Sequence, residues 1–461
     1  MAPATVALSA FAGAFAGEII RPDEPGYEAA RAVWNGMVDR RPALVVRPAG
    51  PDDVVAAVRF AREQELEVAV RSGGHSIPGL STCDGGIVID LSAMRGAQVD
   101  PRRRTARVLG GSLLAELDRE AQAHGLVCPV GVVSHTGVAG LTLGGGMGRL
   151  QRKLGLTIDS LRAVELVTAD GRLVRASEDE QPELFWGLRG AGANFGIATA
   201  FEFGLHALDR PIVHGSVVHP AERAAELAAL FRESVEHGPD ELWLSFGVGL
   251  ALPAERFPPE LAGRPVALVT VLHAGSAGDA ERDLETLRGF GPPAVDSIET
   301  KPYLAAQGMS DEPMRWGHRF YMRSAFLPAL HDEVVGAAVD HVSLVPAGVD
   351  GGLTAWACGR AIARVPEEAT AFAGREAAFW VAAEALWDDP ALDDDCRSWG
   401  RAAMADLEPF ASAGRYVNDV AETGADVVRS IYGAAKLERL VALKRAWDPD
   451  NVFHLNQNIR P

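Results

Sequence analysis

The chain of 461 residues is poor in cysteine, poor in basic residues and free of long apolar runs. Its four cysteines, Cys83, Cys128, Cys358 and Cys396, show no CxxC spacing. That argues against a zinc site and against a disulfide framework, and it makes the reducing cytoplasm the expected compartment. Lys and Arg total 44 against 62 Asp and Glu, a formal charge of -18. Such a surface repels phosphate backbones, so nucleic acid is not an expected partner. No stretch approaches the roughly 18–20 apolar residues that a membrane span requires. Thr5 to Gly17 is a small-residue apolar run with no Lys or Arg before Arg21. It reads as the first helix of the fold, with a secretory signal as the alternative. Repeats and low-complexity linkers are also lacking.

What is there is enough sequence for two or three domains. The first 205 or so residues alternate short β runs with helical patterns. ALVVRP (43–48), EVAVR (67–71) and GIVIDL (86–91) read as strands. PDDVVAAVRFAREQ (51–64) reads as an amphipathic helix opened by Pro51 and two acids. SLLAELDREAQAHG (112–125) is a second helix, ending at Gly. LRAVELVTADGRLVRA (161–176) reads as two strands joined at Asp170-Gly171. From about 208 to 414 the rhythm changes. Strands at 212–219, 242–249, 266–273 and 318–326 are interleaved with helical stretches at 221–238, 278–290 and 327–342. This predicts an antiparallel sheet with one face covered by helices, hence an α+β fold.

Two segments carry chemistry. RSGGHSIPGLS (71–81) follows a strand and sets glycines around His75. Consecutive backbone N–H groups in such a loop can converge on an anion, and a pyrophosphate is the natural guest. The plainer reading is a loop histidine satisfied by local hydrogen bonds. SHTGVAGLTLGGGMGRL (134–150) holds six glycines between Gly137 and Gly148. Gly137, Gly140 and Gly144 keep side chains away from a flat or extended ligand; close helix-to-strand packing would ask for the same residues. GAGANFG (190–196) imitates a dinucleotide fingerprint. A helical pattern precedes it and a strand follows, the reverse of the order that motif needs.

RSGGHS, SHTGVAGLTLGGGMG, GLTIDSL, ELFWGLRGAGANFGI and the terminal DPDNVFHLNQNI follow one another as in berberine-bridge-enzyme-like oxidases. These belong to the vanillyl-alcohol-oxidase, or PCMH-type, FAD superfamily, and the chain resembles them over nearly its whole length. The resemblance implies a PCMH-type FAD domain formed by residues 1–207 and 415–461, split by a substrate domain at 208–414. It implies FAD as cofactor, attached covalently through His75. The cofactor-binding residues it implies begin with Arg71, Ser72, Gly73, Gly74 and Ser76 at the pyrophosphate. Ser134, His135, Thr136, Gly137, Gly140, Leu141 and Gly144 would run along the flavin. Gly196 and Ile197, in the segment from Gly190, would close the adenosine end. Asn456 and Gln457 in the tail would approach the ring.

Some members add a second link from a cysteine four residues before the glycine equivalent to Gly137. Val133 stands there, so a single histidyl link is expected, with Cys128 a buried structural residue. That pattern is similar to bacterial members, including tailoring oxidases of secondary metabolism.

The resemblance implies hydride transfer from a small organic molecule, with molecular oxygen as acceptor. A dehydrogenase using another acceptor, or an inactive flavin-binding protein, are the competing readings. Tyr416, in the motif Y-x-N with Asn418, and Tyr321 are the expected catalytic or pocket residues. Tyr321 and His318 lie three apart on the strand read at 318–326, so only one of them could face the flavin. Asp311 reads as a loop cap or solvated acid. Trp316, Phe320, Trp356 and Phe379 could make the pocket apolar, although aromatics on strands are often plain core. Gly374 replaces a histidine common in the family, so no role carries over to its block. No metal site is expected.

Overall fold

The computed structural model describes residues 5–252, 257–412 and 414–461. Near the N-terminus lies a sheet of four strands in the order Glu18–Ile20, Leu44–Arg47, Ile87–Asp90, Val68–Arg71. The last three run parallel. Helix Pro51–Glu63 covers this sheet with Val54, Ala57, Val58 and Ala61. Pro51 opens it, and the Asp53 carboxylate accepts from the backbone N–H groups of Ala49 and Ala16, at 2.8 and 3.0 Å. The apolar N-terminal run forms helix Thr5–Ala14, whose Phe11 stacks on Phe60 with ring centroids 4.3 Å apart. Burying such a side chain stabilises by about 1.5–3 kcal/mol.

A second sheet is antiparallel, in the order Ala97–Asp100, Thr105–Leu109, Ile197–Gly204, Leu161–Val167, Leu173–Ser177. The strands at 161–167 and 173–177 turn at Asp170-Gly171, as expected. Helices Leu114–Gln122, Pro182–Leu188 and Ala425–Trp447 share one core with it. The C-terminal segment thus packs with the first half of the chain: Val428, Ile431, Leu440 and Ile459 are buried beside Phe185, Phe201 and Phe203.

The middle of the chain forms an antiparallel sheet of eight strands. Its path is Val295–Asp296, Ile212–Pro220, Pro265–His273, Leu242–Leu250, Asp350–Ala357, Phe379–Trp387, Arg319–Leu327, and Glu299–Lys301 also pairs with Ile212–Pro220. Helices Ala224–His237, Asp332–Val342 and Asp393–Leu407 cover one face. Side chains alternate between faces, as the period of two demands. Tyr321, Ala325, Leu327, Phe379, Val381 and Ala383 enter the helix-covered core. Phe320, Met322, Phe326, Trp380 and Ala382 belong to a separate cluster on the other face.

Two helical expectations change. The stretch 278–290 breaks at Leu284 into helices Ala277–Asp283 and Glu285–Arg288. The stretch 327–342 becomes helical only at Asp332, because Leu327 still pairs in the sheet and Pro328 follows it. Among the described residues, no helix is long and apolar enough to cross a membrane.

Candidate functional site

Strand Val68–Arg71 delivers the RSGGHS loop to one wall of a cleft of about 560 Å³. Arg71 itself stays behind that wall. Its guanidinium pairs with Asp90 at 2.6 Å and donates to the Ala32 carbonyl, fixing the strand end from which the loop springs. Gly74 takes φ +70°, a conformation that suits glycine. Gly73 and Gly137 pass so closely that a Cβ on Gly73 would stand 2.1 Å from the Gly137 nitrogen. The two glycine segments therefore form one continuous surface. Ser72, Gly73, Gly74, His75, Ser76, Thr136, Gly137, Gly140 and Leu141 all line it, joined by Gly196 and Ile197 and by Asn456 and Gln457 from the tail.

Gly144, Ser134 and His135 support the wall without lining the cleft. A Cβ on Gly144 would meet the Asn418 side chain at 2.1 Å. Asp311 accepts from the Ser134 N–H at 2.8 Å and from its hydroxyl at 2.5 Å. The acid expected as a loop cap thus caps a segment far away in sequence. His135 Nδ1 lies 2.7 Å from His75 Nε2. Burial, with His135 next to it, pushes His75 down to about 3. His75 is therefore a neutral imidazole, oriented by His135 on one side and by Trp34, stacked at 4.8 Å, on another.

The opposite wall is the uncovered face of the eight-stranded sheet. Trp243, Ser245, Thr270, Phe320, Met322, Thr354, Trp356, Trp380 and Glu384 line it. This corrects two sequence expectations. Tyr321 points into the helix layer, against Gly400, and donates to Glu422 at 2.6 Å. Its neighbours Phe320 and Met322 take the cleft face instead. His318 precedes the strand and pairs with Asp388 at 2.5 Å, away from the cleft. Of the four aromatics proposed as lining, Phe320 and Trp356 do line it. Phe379 lies in the helix-covered core, and Trp316 is exposed above Gly74. Gly374 packs on the Phe326 ring, and the adjoining Arg375, fully buried, holds Asp159 at 2.7 Å. That block is structural.

Tyr416 does line the cleft. Its hydroxyl oxygen accepts from the Gly146 and Met147 N–H groups, at 3.1 and 3.2 Å, and from Asn418 Nδ2 at 2.9 Å. Burial raises its pKa. A neutral phenol with three donors on its oxygen is a fixed post for the turn at Gly146. Two acids that the sequence reading did not single out face the same space. Burial, then the Asp350 charge, pushes Glu384 up to about 7. Burial, then Glu384 nearby, raises Asp419 well above the usual carboxylate range. The signal for Glu384 was present: it is the one acid in the apolar strand FWVAAEALW.

The cleft fits a large polar-edged ligand. Ser81 Oγ, Asn456 Oδ1 and Gln457 Oε1 line it without a hydrogen-bond partner, a state that buried polar atoms rarely keep. Gly140 is exposed in an otherwise buried stretch, and nothing stands within 4 Å of a Cβ built there. A dinucleotide lying from the Gly192–Ile197 end to His75 would supply those partners. Val133 lines the cleft, whereas Cys128 is buried in the core behind it.

A glycine-walled cleft carrying a neutral histidine and closed by an antiparallel sheet defines a PCMH-type flavoprotein oxidoreductase. Residues 42–177 match the family described as FAD binding domain, and residues 415–460 match berberine and berberine like. The chain is 33% identical over 458 residues to (R)-6-hydroxynicotine oxidase of Paenarthrobacter nicotinovorans, covering 96% of this chain and 97% of that one. An FAD-linked oxidoreductase of Dictyostelium discoideum is 32% identical over 431 residues, covering 93% and 91%. The crystal structure of 6-hydroxy-D-nicotine oxidase from Arthrobacter nicotinovorans superposes with a TM-score of 0.88 at 31% identity, covering 97% of this chain and 98% of that chain. The chain belongs to the berberine-bridge-enzyme-like FAD-linked oxidoreductases.

Proposed function

We propose that this oxidoreductase is an oxidase of a small, flat organic molecule and carries its FAD covalently on His75. Residues 1–207 and 415–461 hold the cofactor in this reading, and 208–414 hold the substrate. When bound, FAD would supply hydride acceptance from the substrate, with dioxygen as the electron acceptor and hydrogen peroxide as the second product.

The observation that carries the reading is the neutral His75 imidazole facing a cleft whose other wall bears Glu384. A neutral ring is the form able to attack an electrophilic carbon, and a single bond there fixes the cofactor against the substrate. Nε2 is engaged by His135, and Nδ1 has no partner among the described residues. Val133, in place of a cysteine, supports one link rather than two. Trp243, Trp356, Trp380 and Phe320 favour an aromatic or otherwise planar substrate. One relative is named for oxidising (R)-6-hydroxynicotine, which fits a cleft of this kind. Glu384, with its pKa near 7, can take the proton from a substrate hydroxyl or amine as hydride leaves. Tyr416 holds the adjoining turn.

Acid precipitation tests the attachment. The wild-type precipitate is expected to stay yellow, and His75→Ala is expected to lose its colour to the supernatant. Stopped-flow mixing of substrate-reduced protein with air tests the acceptor. Reoxidation within seconds is expected; reoxidation over many minutes would leave a dehydrogenase.

A further inference from the structure

Arg149 closes the second glycine segment and extends into the same cleft. It is only 7% exposed. A guanidinium has five N–H donors. Here Nη2 donates to Ser310 Oγ at 2.7 Å, and Nη1 reaches the Val132 carbonyl at 3.3 Å and Gln307 Oε1 at 3.4 Å. Nε has no partner. All the acceptors are neutral, two of the contacts are long, and Arg149 forms no ion pair among the described residues.

The charged groups around it do not fill the gap. Asp311 is near enough to act on Arg149 electrostatically, but its carboxylate is taken by Ser134. Asp118 connects only through Gln307, whose Nε2 donates to it at 3.3 Å, and burial pushes Asp118 up to about 7. Tyr303 is fully buried, and burial holds its phenol neutral. On the sheet side stands His214, both of whose ring nitrogens lack partners; burial and then the Arg149 charge push it down to about 3. A buried cation is normally paired. This one shares the cleft with Ser245 and Thr270, facing hydroxyls on adjacent strands.

We propose that Arg149 is an anion subsite of the substrate cleft, and that the substrate carries a carboxylate which binds there. A planar carboxylate matches the guanidinium fork, and the Ser310 hydroxyl beside Nη2 completes its surroundings, while the buried, unpartnered Nε leaves the charge without protein compensation. The substrate is then an aromatic or polycyclic acid, held by its carboxylate at Arg149 while its oxidisable group is served by Glu384. This rests on the cleft being the substrate site of the proposed oxidase.

The probes are 2-naphthoate and the neutral isostere 2-naphthamide, titrated into the purified holoprotein. Binding is read from the visible flavin spectrum and from quenching of Trp243, Trp356 and Trp380. Naphthoate is expected to bind at least about tenfold more tightly than the amide, the margin of a charge-assisted hydrogen bond. Arg149→Met should bring that ratio close to one with its flavin content unchanged, and Arg149→Lys should keep part of it. Equal affinities in the wild type, no naphthoate binding at millimolar concentration, or a preference surviving in Arg149→Met would each overturn the subsite. So would Arg149→Met lacking flavin, which would assign the charge to the cofactor. A protein without acid-stable colour would defeat the covalent attachment alone, and slow reoxidation by air the oxidase reading alone, because the tryptophan signal still reports the anion preference.

Discussion

At the scale of single residues, the site rests on two side chains whose charge states are set by desolvation. His75 is neutral, and Glu384 stands near the midpoint of its titration at neutral pH. A carboxyl pushed up to about 7 is protonated below that pH and can act as a base only above it. Substrate kcat/KM is therefore expected to climb about tenfold per pH unit up to pH 7 and then to level off. Glu384→Gln keeps the shape of the side chain and removes the proton acceptor. It is expected to lower kcat/KM roughly 10²–10⁴-fold, to flatten the rising limb, and to leave flavin content intact. A Glu384→Gln enzyme with an unchanged pH profile would move the base elsewhere, with Asp419 the next group to test. The sequence made His75 legible because its glycine neighbours announce a nest. Glu384 was harder to see because a lone acid on a strand is usually a solvated one.

Elements explain what sequence reading could place and what it could not. Strand Arg319–Leu327 was legible as a strand, but the face turned to the cleft was not. HRFYMRSAF has one face with Arg319, Tyr321 and Arg323 and one with Phe320, Met322 and Phe326; the more polar face is the one that packs under the helices, through ion pairs such as Arg319 with Asp393, and the apolar face is the one turned to the cleft. Tyr321 was placed on the wrong side for that reason. Arg71, Ser134, His135 and Gly144 were found in the right segments, yet they buttress the wall. A motif reports that a loop has a fixed shape, and the residues fixing it need not touch the ligand. The C-terminal tail shows the same logic. Lys444, with no exposed surface, donates to Asp448 at 2.7 Å and to the carbonyls of Asn194 and Phe453, each at 2.8 Å. One ammonium thus ties the last helix, the tail and the Gly190–Ile197 loop together. Lys444→Met leaves the Asp448 carboxylate buried and unpaired, which is expected to cost about 3–5 kcal/mol in denaturant melts. Because Asn456 and Gln457 follow, acid-stable flavin should fall with it. Adding Asp448→Asn, which removes the charge and keeps an oxygen to accept from the Val452 or Phe453 N–H, should recover part of the stability; no recovery would mean the carbonyl bonds of Lys444, rather than the stranded charge, set the loss.

Across the whole molecule, the cleft lies between the glycine segments and the eight-stranded sheet, and its walls are pinned by polar contacts around its edge. Asn35 Nδ2 donates to the carbonyls of Ile77 and Phe320 at 2.8 and 3.0 Å, and Trp34 Nε1 donates to that of Met314 at 2.6 Å. The fully buried Gln151 donates to the Ala357 carbonyl at 3.0 Å, and Arg152 donates to those of Cys358 and Val235 at 3.1 and 3.0 Å. These contacts lead to the expectation that the cleft forms without its cofactor. His75→Ala, which can hold FAD only reversibly, isolates what the cofactor adds. Its apoprotein is expected to fold with a cooperative melt, and added FAD should raise Tm with the logarithm of its concentration. The gain approaches about 4 kcal/mol at a thousandfold excess over Kd. Hydrogen exchange should slow in both walls together: in residues 72–81, 131–141 and 190–197 on the glycine side, and in 243–245, 354–356 and 380–384 on the sheet. Slowing on the glycine side alone would mean that the sheet does not close over the flavin, and the assignment of Glu384 would fall with it. An apoprotein that unfolds without FAD would instead make the cofactor part of the core, and the polar pins would then be a consequence of assembly rather than its cause.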